Sequence, residues 1–519
     1  MSILKKEIPY TVRFIEKKVT VTESIEQFKD PSLLDHRSFV GNKWVESDSK
    51  KTFPVYDPED DAIAAEVTDL SRAEVANAFS TAHSAFQAYK RIPARERRFL
   101  IRKWCDLIKA NTDDLSAICT LELGKPITES RGTVAYGISF LDWFETLVEH
   151  LGGETIVANK PNNRIVTIRQ PQGVVAAVTP WNSPIAMVTR KVGAAIAAGN
   201  TVVLKPAPET PLCAIALGKL FERAGFPPGV LNIVTCSAET TPECGAEMCE
   251  NPLVRHLSFT GSTAVGLTLA AECAKTLKRT SMELGGNAPF IVFEDADVNS
   301  AVEGLIASKF RSSGQTCVCA NRVLVHETVM EAFQKRLLER IPQTLIPGSV
   351  WDKKTSFGPL YSAKGVRKVK RHFEDAVRNG AEVLVGGLDG LKDTGPNFVP
   401  PTALAIPSRL SEKTKELAFS SEETFGPLVA LVPFTSEDEA IKYANETSAG
   451  LASYFYTKDA SRQWRVAEAL ESGMVGVQVG LVSASEQPFG GIKQSGVGRE
   501  GGSSPLEEYT EIKSITFGI

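Results

Sequence analysis

Cys317 stands in GQTCVCANR (314–322), after a glycine and small polar residues, in a segment that reads as a loop entering a strand. A thiol held there is a nucleophile once deprotonated. A buried structural cysteine is the other reading, since free cysteine is among the most buried residue types. Glu283, in SMELGGNAPF (281–290), has apolar neighbours and a glycine pair behind it. Desolvation there would raise its pKa and suit a general base, whereas a glutamate at a strand end can equally face solvent. Asn182, in TPWNSP (179–184), lies where an apolar strand gives way to a helix. Its amide can donate to a developing oxyanion or can cap the helix. In FTGSTAVG (259–266), Gly261 and Gly266 open a helix directly after a strand. Free N–H groups and the helix dipole favour a phosphate at such a place, although glycine-containing turns are common and this one is not GxGxxG. Cys319 follows Cys317 at i+2; in an extended chain their Cα atoms are ~6.6 Å apart, near the upper limit for a disulfide. The pair suggests reversible oxidative inactivation, with a packed bystander thiol as the alternative.

These residues need elements to hold them. From about 72 to 150 apolar residues recur at three and four, so this stretch is expected to be helical. Then short apolar runs alternate with helical segments: GVVAAVTPWN (173–182), TVVLKPA (201–207), VLNIV (230–234) and VRHLSFTGS (254–262). That alternation implies a parallel, doubly wound α/β sheet, with ligands at the C-terminal strand ends. A second α/β unit is expected from about 285, with strands at 288–294, 321–327, 381–387, 428–434 and 452–457. The four candidate regions would then meet in a cleft between the two units. Residues 37–56 suggest short strands around Gly41-Asn42, the reverse of the favoured hairpin pair.

The chain has 519 residues, 43% apolar and 23% charged, and a formal net charge of −4. That is ordinary globular composition with room for about three compact units. It offers no basic field for nucleic acid and no polybasic membrane anchor, and no apolar run approaches the ~18 residues of a membrane span. Nine scattered cysteines, with no CxxC pair, indicate neither a disulfide framework nor a zinc site, and the six histidines form no HExxH. No metal is expected. A reducing compartment suits the thiols. The first 19 residues carry Glu7 and Glu16 among several cations and contain no apolar stretch, which favours the cytoplasm over a mitochondrial or secretory address.

TPWN, VVLKPA, FTGST, MELGGNAP, GQTCVCANR, EETFGP (422–427) and PFGGIKQSGVGREG (488–501) occur in this order. With them the chain resembles the aldehyde dehydrogenase superfamily from about residue 37 to 518. SFLDWF (139–144), TRKVGAAIAAGN (189–200), KFRSSGQTCVCANR (309–322) and LEEYTEIKSI (506–515) carry a closer likeness to succinate-semialdehyde dehydrogenases. The resemblance implies an α/β fold in three parts. A Rossmann-like cofactor domain would span 1–149 and 171–284, and a catalytic domain 285–485. An oligomerisation arm with the C-terminal segment would span 150–170 and 486–519, in a homodimer or homotetramer. It implies that Cys317 is the nucleophile, that Glu283 activates the hydrolytic water, and that Asn182 with the Cys317 N–H forms the oxyanion hole. Thr179, Trp181, Lys205, Gly261, Ser262, Glu423 and Phe425 match positions that hold NAD or NADP. Arg190, Arg311 and Ser483 match those that bind a substrate carboxylate. Retention of Glu283 argues against transfer of the acyl group to coenzyme A.

The expected reaction is oxidation of a small aldehyde to its acid, with succinate semialdehyde first; another aliphatic or aromatic aldehyde, and an inactive protein on the same fold, are the alternatives. Two arginines in one apolar pocket are a poor arrangement unless an anion joins them, which points to a carboxylate on the substrate or to acidic side chains. Many NAD-using relatives carry a glutamate three residues after the lysine matched by Lys205. Here Pro208 takes that place and the carboxylate comes at Glu209, so NADP is expected to be accepted at least comparably with NAD. Three further departures from the relatives stand out. Glu500-Gly-Gly-Ser-Ser-Pro505 lacks a backbone donor at the proline, so the arm is expected to pair differently. Gln478 replaces a usual Asn and Ser183 a usual Phe.

Overall fold

The structure, a computed structural model, describes residues 28–388, 395–407, 410, 412–503 and 505–519. The N-terminal stretch read above for a cellular address lies outside the described residues. The periodic region folds as four helices, α1 (Arg72–Tyr89), α2 (Ala94–Ala110), α3 (Thr112–Leu123) and α4 (Ile127–Leu147). α1 begins at a capping box, in which Ser71 and Glu74 satisfy each other's backbone N–H.

The alternating runs form an eight-stranded sheet. Its parallel centre is β7 (Val174–Val178), β8 (Thr201–Lys205), β9 (Leu231–Ile233), β10 (Val254–Thr260) and β11 (Arg279–Glu283), in the order β11-β10-β7-β8-β9. Helices α5 (Pro184–Ala197), α6 (Pro211–Ala224), α7 (Thr241–Glu250) and α8 (Thr263–Ala274) connect the strands. The hairpin β1 (Ser38–Val40) and β2 (Lys43–Val45) adds an antiparallel edge through β9. Gly41 and Asn42 both take positive φ, 60° and 59°, so the reversed pair still makes a left-handed two-residue turn. β11 is a strand that the sequence pattern does not announce: RTSME is short, and only its pairing with β10 makes it extended. The pair β3 (Thr52–Asp57) and β4 (Ala62–Thr68) stands apart as a two-stranded sheet.

The second sheet has the order β14 (Glu382–Val385), β15 (Thr402–Ala405), β16 (Leu428–Phe434), β13 (Ala320–His326), β12 (Ala288–Val292), β17 (Ala452–Tyr456) and β18 (Met474–Val477). β15 and β18 are additions to the five expected strands. The helices used below are α9 (Val298–Lys309), α10 (Met330–Thr344) and α11 (Ala363–Arg378).

The expected arm is a three-stranded sheet of β5 (Thr155–Ile156), β6 (Asn163–Pro171) and β20 (Thr510–Gly518). β20 pairs with β6 along its whole length, from Thr510–Pro171 to Gly518–Asn163. The proline at 505 therefore does not disturb the pairing, because it lies ahead of the strand. The C-terminal segment is divided, since β19 (Gly496–Val497) joins the first sheet beside β11 and not the arm. No helix among the described residues is long and apolar enough to cross a membrane.

Candidate active site

Register brings the strand ends of the first sheet into one row. Val178 pairs with Lys205 and with Phe259, and Thr260 pairs with Glu283. Trp181 and Asn182 leave this edge after β7, Gly261 and Ser262 leave it after β10, and Glu283 ends β11. Cys317 arrives from the opposite direction, three residues before β13 begins in the second sheet. The site is thus C-terminal edge against N-terminal loop, not a meeting of C-terminal strand ends alone. Gly286 makes the approach possible: a Cβ there would stand 2.3 Å from the Cys317 carbonyl oxygen.

Motifs far apart in sequence hold one another. The buried Arg322 guanidinium donates to the carbonyls of Asn287, Tyr443 and Ala444. Asn321 donates to Asn287 Oδ1 and to the carbonyls of Phe419 and Glu422, and accepts from the Thr424 N–H. One buried network therefore ties GGNAP, CANR and EETFGP together. Ahead of Cys317, Ser312 and Ser313 sit in the left-handed region with φ 52° and 53°. Such conformations cost roughly 1–2 kcal/mol per residue. Glu129 of α4 holds them by accepting from the Ser312 N–H (2.7 Å) and Oγ (2.9 Å), while Ser313 donates to the Gly358 carbonyl.

Glu283 is 3% exposed, and both its carboxylate oxygens are buried without a hydrogen-bond partner among the described residues. Burial, and then the nearby Glu500 carboxylate, push its pKa up to about 8. Burial, and then Glu283, push the Cys317 thiol up to about 12, with Arg190 pulling the other way. A resting thiol here is protonated, and Glu283 is the stronger acid of the two. Asn182 is not the helix cap, which is Ser183. Its Nδ2 donates to the Gln315 carbonyl at 3.0 Å, which binds the oxyanion-hole candidate to the cysteine loop and leaves its second N–H for a ligand.

Two cavities meet at Cys317. The larger, about 550 Å³, is lined by Trp181, Glu209, Thr260, Gly261, Ser262, Tyr361, Glu423 and Phe425, with Lys364, Lys368 and Arg371 from α11. Its chemistry fits a dinucleotide. α8 starts at Ser262 without a side-chain cap, so its first N–H groups are available to a phosphate. Thr260 Oγ1 is buried without a hydrogen-bond partner among the described residues. Trp181 packs against Phe425 edge to face at 5.5 Å, and Glu423 accepts from the Gly286 N–H at 3.4 Å. Gly266 lies within α8 and serves packing, since a Cβ there would meet Leu284 at 2.2 Å. Thr179 and Lys205 do not reach this wall: the Thr179 N–H binds the Lys205 carbonyl, and the Lys205 ammonium turns to the Pro206 carbonyl. Pro208 is also off the wall, but Glu209 is on it, so an acid does face the cleft one residue later than in NAD-using relatives.

The smaller cavity, about 300 Å³, is lined by Cys317 with Lys125, Glu129, Thr133, Tyr136, Arg190, Arg311, Ser483 and Phe489, among others. It brings together the three residues matched to carboxylate binding, but the two arginines are not equivalent. Arg190, 1% exposed, is ion-paired with Glu500, which also pairs with Lys191. Its anion is thus supplied by the chain, 310 residues away, so for Arg190 the acidic side chain allowed for above is present. Arg311 Nε is buried without a hydrogen-bond partner among the described residues. Cys319 is a free thiol whose Sγ meets Thr316 Oγ1 at 2.9 Å and the Lys309 carbonyl at 3.8 Å.

Lys125, Glu129, Thr133, Tyr136 and the cations of α11 were not among the sequence candidates. Two signals pointed to them: Thr133 and Tyr136 share a helix face at i, i+3, and AKGVRKVKR places its cations on the first turns of one helix.

A family model described as the aldehyde dehydrogenase family matches residues 44–515. Succinate-semialdehyde dehydrogenase (NADP(+)) 1 of Schizosaccharomyces pombe is 49% identical, covering 94% of this chain and 97% of that one. A glutarate-semialdehyde dehydrogenase of Pseudomonas putida is 47% identical, covering 95% and 100%. The crystal structure of a succinate-semialdehyde dehydrogenase from Burkholderia pseudomallei superposes with a TM-score of 0.91 at 45% identity, over 95% of this chain and 100% of that one. A chain that matches the family model almost end to end, and shares nearly half its residues with these enzymes, belongs to the aldehyde dehydrogenase family and oxidises aldehydes with a nicotinamide dinucleotide.

Proposed function

We propose that this enzyme oxidises a short ω-oxo acid, succinate semialdehyde foremost, to the dicarboxylate, and that it accepts NADP at least comparably with NAD. The observation that carries the substrate is Arg311. It is a guanidinium whose buried Nε has no hydrogen-bond partner among the described residues, in the cavity that Cys317 also lines. A planar fork of donors suits a carboxylate. The names of the relatives from Schizosaccharomyces pombe and Pseudomonas putida agree with an ω-oxo acid.

In this reading Cys317 releases its thiol proton to solvent and the thiolate Sγ adds to the aldehyde carbon. Asn182 Nδ2 and the Cys317 N–H hold the oxygen that becomes negative. A nicotinamide dinucleotide would supply the hydride acceptor and a positive ring charge that favours the thiolate. Glu423, Phe425 and Trp181 line the cavity that would hold it, and the uncapped N-terminus of α8 would receive its phosphates. The acyl group stays on Cys317 as a thioester, and Glu283 takes a proton from the water that cleaves it. Arg311 and Ser483 hold the far carboxylate, while Arg190 is tied to Glu500, which it shares with Lys191. In the same reading Cys319 would form a disulfide with Cys317 when a peroxide takes two electrons and two protons from the pair, once its thiol leaves Thr316.

We assign cofactor binding to 1–149 and 171–284, catalysis to 285–485, and the arm to 150–170 with most of 486–519, a division that the grouping of the described strands into sheets supports. β20 forms a sheet edge, and Ile512 and Phe517 are exposed on it. Such an edge is a template for another chain, which supports a homodimer or homotetramer. Nine free thiols suit a reducing compartment, and the cytoplasm is our reading.

Two measurements test the specificity. Arg311→Ala will raise KM for succinate semialdehyde at least about tenfold, the worth of a charge-assisted contact, and will leave butanal nearly unchanged. Equal losses on both aldehydes remove the carboxylate role. With one saturating aldehyde, kcat/KM for NADP will be at least comparable with that for NAD, because Lys364 and Lys368 line the cleft beside Glu209, while Arg371 is paired with Glu422. Pro208→Glu will shift the ratio toward NAD. An NAD preference above about a hundredfold, ~2.7 kcal/mol, contradicts this assignment.

A further inference from the structure

Lys125 follows the left-handed Gly124 that ends α3 and lines the substrate cavity at 7% exposure. Its Nζ donates to Thr133 Oγ1 at 3.3 Å, and that hydroxyl donates onward to the Glu129 carbonyl. No carboxylate among the described residues lies within ion-pair distance of the ammonium. The carboxylate that shares the cavity, Glu129, is taken by the Ser312 N–H and Oγ. A buried ammonium with one neutral partner is a costly arrangement that a counter-ion would relieve. Arg190 already has a carboxylate partner in Glu500, which leaves Lys125 and Arg311 as the cavity's cations without one among the described residues.

Position along α4 separates the cavity's two uncompensated cations. The Tyr136 hydroxyl feels the charges of Arg190, Arg311 and Cys317, which places it at the reactive end. Thr133 lies three residues earlier on the same helix face, ~4.5 Å along the axis, and Lys125 hangs on Thr133. Lys125 thus hangs one turn from the residue that feels Arg311 and Cys317, which sets the two cations at different places along the cavity. A longer ω-oxo acid bound at the same Cys317 carries its carboxylate further out, where the flexible lysine stem can meet it.

We propose that Lys125 is a chain-length determinant: it takes the terminal carboxylate of five- and six-carbon ω-oxo acids, whereas Arg311 takes that of the four-carbon acid. This rests on the ω-oxo acid reading above. It makes the enzyme a dehydrogenase of a homologous series of semialdehydes.

The test measures kcat and KM of the full-length enzyme with saturating NADP. The substrates are four-, five- and six-carbon ω-oxo acids and uncharged aldehydes of equal length, with wild type, Lys125→Gln and Thr133→Val. Lys125→Gln is expected to lower kcat/KM for the five- and six-carbon acids at least about tenfold, mainly through KM, as for a lost charge-assisted contact. The four-carbon acid should change less than about threefold and the uncharged aldehydes not at all, by the same argument. Thr133→Val, which removes only the hydroxyl that orients the ammonium, should give a smaller loss in the same order, and it carries the test if Lys125→Gln does not fold. Losses that are equal across all substrates, or absent for the longer acids, overturn the proposal. A wild-type enzyme that prefers the acids but a Lys125→Gln variant indifferent to chain length sinks this inference alone. A wild type with no preference for any acid sinks the substrate reading with it.

Discussion

Cys317→Ala is expected to lower turnover by at least about a thousandfold, ~4 kcal/mol, while dinucleotide affinity stays within about twofold. The first half follows from position. Cys317 lines both cavities, and it is the residue at their junction that can bond to carbon, accept an acyl group and release it again. The other eight cysteines are buried, and none of them lines either cavity. The second half follows from what holds the loop. Asn182 Nδ2 binds the Gln315 carbonyl, Tyr454 Oη binds the Val318 carbonyl, and Glu129 clamps Ser312; none of these contacts uses the thiol. Alanine removes the sulfur and leaves the wall standing. Steady-state rates by reduced-cofactor absorbance, with a fluorescence titration of bound reduced cofactor, check both halves. Near-normal turnover in this variant overturns the assignment of the nucleophile.

Glu283→Gln is expected to keep the first turnover and lose the following ones. Reduced cofactor should appear as a burst of about one equivalent per competent site, followed by a steady rate lower by at least ~100-fold. Glutamine keeps the size of the side chain but cannot take a proton from water. The pH dependence has a fixed sign. A carboxyl whose pKa is raised to about 8, by burial first and by Glu500 second, is protonated and inactive as a base below that pH. Thioester hydrolysis in the wild type should therefore rise with pH through about 8 and level above it. In Glu283→Gln that rise should be gone from the residual rate. Glu500→Gln will show whether the neighbour matters: with one negative charge removed, the inflection should move to lower pH. An unchanged profile in both variants would mean that another group is the base.

What the sequence showed and what it hid follow from the range of the interactions. Cys317, Glu283 and Asn182 were legible because short segments fix them: each ends a strand, leaves one or enters one, and the ordered motifs identify the set. The strands of the parallel core were legible because burial on both faces makes continuous apolar runs such as VVAAV and TVVLK. β11 was not, because RTSME is extended through its neighbours β10 and β19 and not through its own composition. The Arg190–Glu500 pair was hidden for the same reason. Nothing local in TRKVG or GREGG says that the two charges pair. Glu209 is a third case. A one-residue offset in an aligned position told that an acid was missing after Lys205, while only the path of the loop told that the next residue faces the cleft. The left-handed Ser312 and Ser313 were equally illegible, since serine has no preference for that region and the clamp on them comes from Glu129, 183 residues earlier for Ser312.

The central claim is that the aldehyde is oxidised as an acyl thioester on Cys317 which Glu283 then removes. The most direct measurement is the intact mass of Glu283→Gln, acid-quenched after mixing with succinate semialdehyde and NADP, followed by mapping of the modified peptide. The account predicts a gain of one succinyl group per chain, carried on the peptide that contains Cys317, with one reduced cofactor formed per acyl group. Reduced cofactor with no acyl adduct, or an adduct on any other residue, would contradict it.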